Sequence, residues 1–86
     1  MSGDKTREAI SRQVARILRE ERLRQGLSMD ALAQEANLSQ SMISFIERDM
    51  RNPSLDILLR MTDALNVRLE DVIRRARAAA EKTCSA

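Results

Sequence analysis

The stretch that decides the fold is residues 26–53, GLSMDALAQEANLSQSMISFIERDMRNP. Gly26 can end one helix and Ser28 can cap the next, because a serine side chain accepts a hydrogen bond from the first amides of a helix. The apolar spacing then predicts two short helices separated by a turn at residues 37–39, with Ser39 as the second cap. Small alanines on the first helix let the second pack closely across it. Two short helices that cross at a tight turn are an arrangement that suits presentation of the second helix to the DNA major groove.

The composition indicates an all-α fold. The 86 residues include one aromatic residue, Phe45, with two glycines and one proline. The core must therefore be built from aliphatic side chains and alanine, which favours packed helices over sheet. We expect a compact five-helix bundle. The three helices outside the motif are predicted from about Thr6 to Gln25, from the Ser54 cap to Asn66, and from about Leu69 onward.

The chain has room for one domain and one modest core. We expect a single domain over residues 1–86, with its core at about 6–76 and a fraying tail at about 82–86. Leu23 on the first helix and Leu55 on the fourth are predicted to face inward, at helical spacing with their neighbours.

Several classes of protein are excluded by missing residue types. There is no histidine, the one cysteine (Cys84) is in the tail, and no glycine-rich phosphate loop is present, so an enzyme lacks its parts. No catalytic group, metal, cofactor or small-molecule ligand is indicated. No apolar run is long enough for a membrane span, and a cytoplasmic location is expected. The net charge of +2 is too small to indicate nucleic acid by itself.

A set of short segments in register carries a family resemblance: Leu27-Ser28, Leu32-Ala33, Leu38-Ser39-Gln40-Ser41, Ile43-Ser44, Ile46-Glu47-Arg48, Arg51-Asn52-Pro53-Ser54-Leu55 and Ala64-Leu65. From about Ile10 to Val72 the chain resembles the phage-repressor family of the lambda repressor and Cro type. The resemblance implies a lambda repressor-like domain and a sequence-specific transcriptional regulator of double-stranded DNA. Asn37, Asp49 and Asn66 stand where the family usually has glycine, and these residue types tolerate the left-handed conformation that such turns need.

The third helix carries the expected base-reading residues. Gln40, Ser41, Ser44 and Arg48 share one arc of the helix, and the first three are the polar residues predicted to read bases. The Gln40 amide can bond adenine N6 and N7 together. Phe45 lies at the boundary between this arc and the core. A lone phenylalanine is usually buried, but the resemblance places a base-contacting residue here, and an apolar contact with a thymine methyl is the favoured interpretation.

The resemblance also implies contacts to the DNA backbone. Amides near Ser28 and Ser54 can receive phosphates, and Arg51 and Asn52 are expected to clamp the strand. Met29 is interpreted first as a packing residue and second as a backbone contact. The full predicted set is Ser28, Met29, Ser39, Arg48, Arg51, Asn52 and Ser54.

Two further expectations concern assembly. The resemblance aligns Arg22 and Glu47 with a buried structural ion pair. A homodimer on a pseudo-palindrome is predicted, because one helix reads only a few base pairs and two must lie about 34 Å apart. The candidate interface residues are Ile57, Leu59, Val72, Ile73 and Ala76. The alternative is a protein-binding helix-turn-helix, such as an antitoxin or coactivator, which an exposed Phe45 would suit.

Overall fold

The protein is an all-α bundle in the computed structural model, which describes residues 3–50 and 52–84, with side chains from 5 to 50 and from 52 to 82. Within these residues there is no strand. The helices are α1 (Gly3–Arg24), α2 (Met29–Ala36), α3 (Gln40–Glu47), α4 (Leu55–Leu65) and α5 (Leu69–Cys84). The five-helix prediction is confirmed. The first helix begins at Gly3, before the predicted Thr6, and α5 continues to Cys84, through part of the segment for which fraying is predicted.

Serine caps begin the three middle helices. Each serine has an extended backbone, and its hydroxyl accepts a hydrogen bond from the amide three residues later, which satisfies a donor that has no partner inside the helix. The bonds are Ala31 to Ser28 at 3.0 Å, Met42 to Ser39 at 3.0 Å and Ile57 to Ser54 at 3.2 Å.

The first four helices end in the same backbone motif. A residue with positive φ follows each helix, and the next amide reaches back five residues to a carbonyl, as in the amide of Leu38 donating to Ala33 O at 2.8 Å. The four residues and their φ angles are Gly26 at 72°, Asn37 at 57°, Asp49 at 55° and Asn66 at 63°. The prediction of left-handed turns at the three non-glycine positions is confirmed.

Each helix contributes at least one fully buried side chain to a single core. The largest are aliphatic: Leu18, Leu32, Ile43, Met61, Leu65 and Val72. On α5, Val72, Ala76 and Ala80 recur every four residues and are all buried, and α1 packs more extensively against α5 than against any other helix. Thr62 is also buried, and its hydroxyl donates to backbone carbonyls of its own helix, so no polar group is stranded.

Two leucines predicted to face inward are instead exposed. Leu23 is 51% exposed and Leu55 is 64% exposed. At about 100° per residue, five residues separate Leu23 from Leu18 by about 140°, and six residues separate Leu55 from Met61 by about 120°. Both leucines therefore lie beyond the buried stripe of their helix, and the inward assignments are wrong.

A buried ion pair joins the end of α1 to the end of α3. Arg22 Nε donates to Glu47 Oε2 at 2.7 Å, and Arg22 Nη2 donates to Glu47 Oε1 at 3.0 Å. Arg22 Nη1 donates to the carbonyl of Leu27 at 2.8 Å, in the turn before α2. The side chains are 7% and 1% exposed, so this bidentate ion pair lies almost entirely away from water.

A second polar cluster joins α1 to the end of α4. The buried carboxylate of Glu21 accepts hydrogen bonds from Arg24 and from Gln25 Nε2. The same Gln25 amide donates to the carbonyl of Leu65 at 2.6 Å. The hydrogen bond from Arg24 and then that from Gln25 lower the pKa of the Glu21 carboxyl below its ordinary value, against the opposing effect of burial.

Replacing Arg22 by methionine is expected to destabilise the protein strongly. The change keeps much of the side-chain volume but leaves the Glu47 carboxylate buried without its partner. The free energy of unfolding should fall by about 3–5 kcal/mol. A domain of this size has about 5–10 kcal/mol of stability in total. The measurement is a denaturant unfolding curve of each variant.

Arg16→Met is the matched control for that experiment. Arg16 lies on the same helix and pairs with Glu20 at 2.7 Å, but the side chains are 49% and 54% exposed. Its loss should cost about 0.5 kcal/mol or less. Equal unfolding curves for the two variants would contradict the structural role of the buried pair.

The Glu21 cluster predicts an acid-sensitive component of stability. Because the folded pKa of Glu21 is depressed, its contribution is present above the unfolded value of about 4.5 and is lost as the pH falls through the lower folded value. The difference in unfolding free energy between the parent and Glu21→Gln should therefore be constant near neutral pH and shrink below about pH 4.5. A difference that grows on acidification would contradict this assignment.

Candidate nucleic-acid interface

The first turns of α2 and α3 lie side by side at one edge of the bundle. Met29 begins α2 and Gln40 begins α3, and Gln40 Nε2 lies 3.4 Å from the sulfur of Met29. Each helix is capped by a serine and carries first-turn amides at its positive end. The N-termini of α2 and α3 are therefore neighbours on this edge of the bundle.

The side chains of α3 divide between core and surface. Ile43 and Ile46 are buried, at 0% and 2% exposed, and hold the helix against the bundle. Gln40 and Ser41 are exposed on the opposite side, and Ser44 is half-buried. The structure therefore brings the three predicted polar base readers to one outward face.

Phe45 lies at the edge of this face. It is half-buried, and among the described residues it belongs neither to the buried core cluster nor to the partly buried side chains packed against that cluster. The guanidinium of Arg48 covers the ring, with Arg48 Cζ 5.7 Å from the ring centroid. Arg48 itself is exposed at the C-cap of α3.

The loop after α3 is tied to α1. Asp49, in its left-handed turn, accepts a hydrogen bond from Ser11 Oγ at 3.0 Å. Asn52 and the Ser54 cap are exposed beyond it. Arg51, predicted to clamp the DNA backbone, lies outside the described residues. Sequence reasoning missed Ser11, because nothing in the spacing of α1 shows that a loop 38 residues away meets it.

Met29 packs against the core cluster while remaining half-buried. This placement fits the packing interpretation that the sequence favoured, and its sulfur also supports the Gln40 amide. Met29 is also the first residue of α2, where backbone amides lie at the positive end of the helix.

Part of the predicted dimer interface is wrong. Val72 and Ala76 are 1% and 0% exposed, because they form the α5 side of the chain's own core, so neither can meet a partner in this fold. Ile57 and Ile73 are half-buried and pack against that core. Leu59 is 42% exposed and remains available.

Leu55 is the interface candidate that the sequence analysis missed. It precedes Leu59 by one turn of α4, so the two exposed leucines share a face. Pro53 and Leu58, close to these leucines in sequence, line an open groove of about 350 Å³. Its other apolar lining residues include Ile10, Val14, Ile46 and Ile73, and its polar and charged ones are Arg7, Ser11, Asp49, Asn52 and Arg77.

Among the described residues, none of the helices is long and apolar enough to cross a membrane. In the same part of the chain, no cluster of three or more histidine, cysteine, aspartate or glutamate side chains could hold a metal ion.

A profile of the helix-turn-helix family matches residues 18–72, which is more than half of the sequence and spans α2, α3 and α4. The chain belongs to this family, the Cro/C1-type helix-turn-helix proteins that regulate transcription by binding DNA. Among curated proteins, none matches the sequence.

Solved structures place the chain among small regulators. The restriction–modification controller protein C.AhdI from Aeromonas hydrophila is 32% identical, with a TM-score of 0.68 over 73% of this chain and 94% of that one. The controller protein C.Esp1396I is 27% identical, with a TM-score of 0.72 over 87% and 95%. The clp gene regulator ClgR from Corynebacterium glutamicum shares the fold, with a TM-score of 0.81 at 22% identity over 88% and 81%.

Proposed function

We propose that this chain is a repressor or controller protein that binds a pseudo-palindromic operator as a homodimer. The observation that carries the proposal is the outward polar face of α3 beside the N-terminus of α2, held in place by buried isoleucines. The resemblance to two restriction–modification controller proteins supports a controller role. A regulator must share a compartment with the chromosome, so we place it in the cytoplasm.

Base reading is assigned to the first two turns of α3. The major groove is about 12 Å wide and admits a helix, and each base pair presents a distinct set of donors and acceptors there. Gln40 can bond both N6 and N7 of adenine, and its contact with Met29 already limits the freedom of its amide. Ser41 and Ser44 can donate to or accept from neighbouring base edges.

Backbone groups position the helix without reading sequence. The first amides of α2 and α4, next to the Ser28 and Ser54 caps, point out of the helix ends and can donate to phosphates. Asn52 lies in the exposed loop before α4, and the Ser11 contact to Asp49 holds the start of that loop. Arg51 remains a proposed phosphate contact.

The proposed dimer uses the exposed leucines of α4. A two-fold interface brings the same surface of both subunits together, so that surface must be complementary to itself. A protruding apolar ridge on each subunit therefore needs an apolar groove on the same surface of its partner. Leu55 and Leu59 form the ridge, and the groove is the one lined in part by Pro53, Leu58 and Ile73, with Asp49 and Asn52 among its polar lining residues. The ridge of each subunit would fill the groove of the other, which removes both from water.

Gln40→Ala is expected to lose affinity for the operator by about 1–3 kcal/mol and to relax the preference at one base pair. Asn52→Ala is the comparison variant, and it should weaken specific and random duplex by the same factor. Sites selected from random duplex by the parent and both variants, followed by titrations on the selected site, give the measurement.

The outcome of those titrations separates the two functions considered. If Gln40→Ala affects operator and random duplex alike, the assignment of Gln40 is wrong. If the parent protein has no affinity for any duplex even at low salt, the chain is a protein-binding helix-turn-helix instead. Specific binding at moderate salt supports the proposed regulator.

Leu59→Glu is expected to produce a monomer. An unpaired carboxylate in the two-fold interface would cost at least about 3 kcal/mol of association energy. The variant should bind single half-sites weakly and lose the cooperativity of the full operator. Leu23→Glu is the control, because Leu23 is also exposed but lies on α1. Sedimentation that shows a monomer for the parent, both free and on its operator, would overturn the dimer.

A further inference from the structure

Phe45 and Arg48 form a cation–π pair at the edge of the outward face of α3. Phe45 is the one aromatic residue of the chain, and a buried phenylalanine would contribute strongly to so small a core. The described core cluster does not include it, and it remains half-buried on α3. The sequence therefore places its largest apolar side chain at the margin of the surface that faces DNA in the proposed function.

Arg48 is oriented by this ring and not by an acidic partner. Its guanidinium lies over Phe45, at 5.7 Å from the centroid, a cation–π contact. In the part of the chain that the structure describes, no carboxylate forms an ion pair with Arg48. The one hydrogen bond that its side chain makes there, from Nε to Ser44 O, is long at 3.5 Å. The Nη1 and Nη2 donors have no partner among these residues.

The two side chains match two adjacent features of the major groove. Thymine exposes its C5 methyl there, and guanine exposes the O6 and N7 acceptors that arginine bonds in a bidentate fashion. A ring edge and a guanidinium stacked on that ring can meet a methyl group and a guanine edge on neighbouring base pairs. Stacking also limits the motion of the arginine before binding, so less freedom is lost when it reads a base.

We propose that Phe45 and Arg48 act as one specificity-determining unit for a T·A pair next to a G·C pair. Phe45 contacts the thymine methyl, and Arg48 donates to O6 and N7 of the neighbouring guanine. This assignment rests on the proposed function and deepens it, since it moves Arg48 from the backbone-contacting set to the base-reading set. The chemistry applies equally to 5-methylcytosine, which carries the same methyl group at the same place in the groove.

The methyl contact is tested with changes in the DNA alone. Each thymine of the selected operator is replaced by deoxyuridine, which removes only the methyl group. At one position in each half-site the parent should lose affinity about fourfold, the value of one methyl group removed from water. At the same position, a duplex with 5-methylcytosine should bind better than one with cytosine. If the parent binds every deoxyuridine-substituted operator as tightly as the unmodified one, the proposal is wrong.

Variants then assign the methyl contact to the ring. Phe45→Ala should bind the thymine and deoxyuridine operators equally, and its thermal melt should stay close to that of the parent because the ring lies outside the core. If Phe45→Ala has a much lower melting temperature than the parent, Phe45→Leu replaces it, because leucine keeps an apolar side chain but has no ring. The ratio of its affinities for the thymine and deoxyuridine operators should then be smaller than that of the parent. Methyl discrimination that persists undiminished in the tested variant would overturn the assignment.

The arginine half is tested by removing the donors from both sides of the contact. Arg48→Met keeps a long side chain but has no donor for guanine or for phosphate. Substitution of 7-deazaguanine for the neighbouring guanine should weaken the parent about tenfold, within the range of one good base contact, and should have no further effect on Arg48→Met. If the parent binds the 7-deazaguanine operator as tightly as the unmodified one while Arg48→Met weakens operator and random duplex alike, Arg48 is a phosphate contact and the unit does not exist.

The results that would contradict the Phe45–Arg48 unit differ from those that would contradict the proposed function. A protein that binds no duplex specifically contradicts the proposed function. A protein that selects an operator through Gln40 but ignores the methyl and the guanine N7 contradicts only the Phe45–Arg48 unit.

Discussion

The buried ion pair of Arg22 with Glu47 is the interaction on which the presentation of α3 depends. It joins the last turn of α1, the carbonyl of Leu27 before α2, and the last residue of α3. Both side chains are nearly inaccessible to water, so no solvent molecule can replace a missing partner. The C-terminus of α3 is held by this pair, its middle by Ile43 and Ile46, and its N-terminus by contact with α2. A helix fixed at three points can present a constant face.

Capping chemistry sets the lengths of the elements around that face. Serine begins α2, α3 and α4, and a left-handed residue ends α1 through α4, so each short helix starts and stops at a defined residue. The same residues contribute to the site, since the amides beside the caps are those offered to phosphates. Asp49 has both a structural and a positioning role, because its left-handed turn redirects the chain and its carboxylate accepts the hydrogen bond from Ser11.

Much of this was predictable from local chemistry, and the errors have a common physical origin. The caps and the division of α3 into two faces follow from residue type and helical spacing. The left-handed turns at Asn37, Asp49 and Asn66 followed from the family resemblance together with the tolerance of these residue types for that conformation. Helical spacing does not show how wide the buried face of a helix is. For this reason Leu23 and Leu55 were wrongly predicted to face inward. An apolar residue of α5 can pack in the chain's own core or against a second subunit. Which of the two occurs depends on how α1 packs against α5, and the local sequence of α5 does not determine that packing. The stacking of Arg48 on Phe45 depends likewise on rotamers that spacing does not specify.

The most direct test of the central claim, that α3 enters the major groove at two places on one face of the duplex, is chemical protection of operator DNA. Dimethyl sulfate methylates guanine N7 in the major groove and adenine N3 in the minor groove, so one experiment reports on both. The account predicts protected guanine N7 positions in two groups separated by about one helical turn, roughly 34 Å. Protection confined to adenine N3, or a single protected group on a full operator, would contradict it.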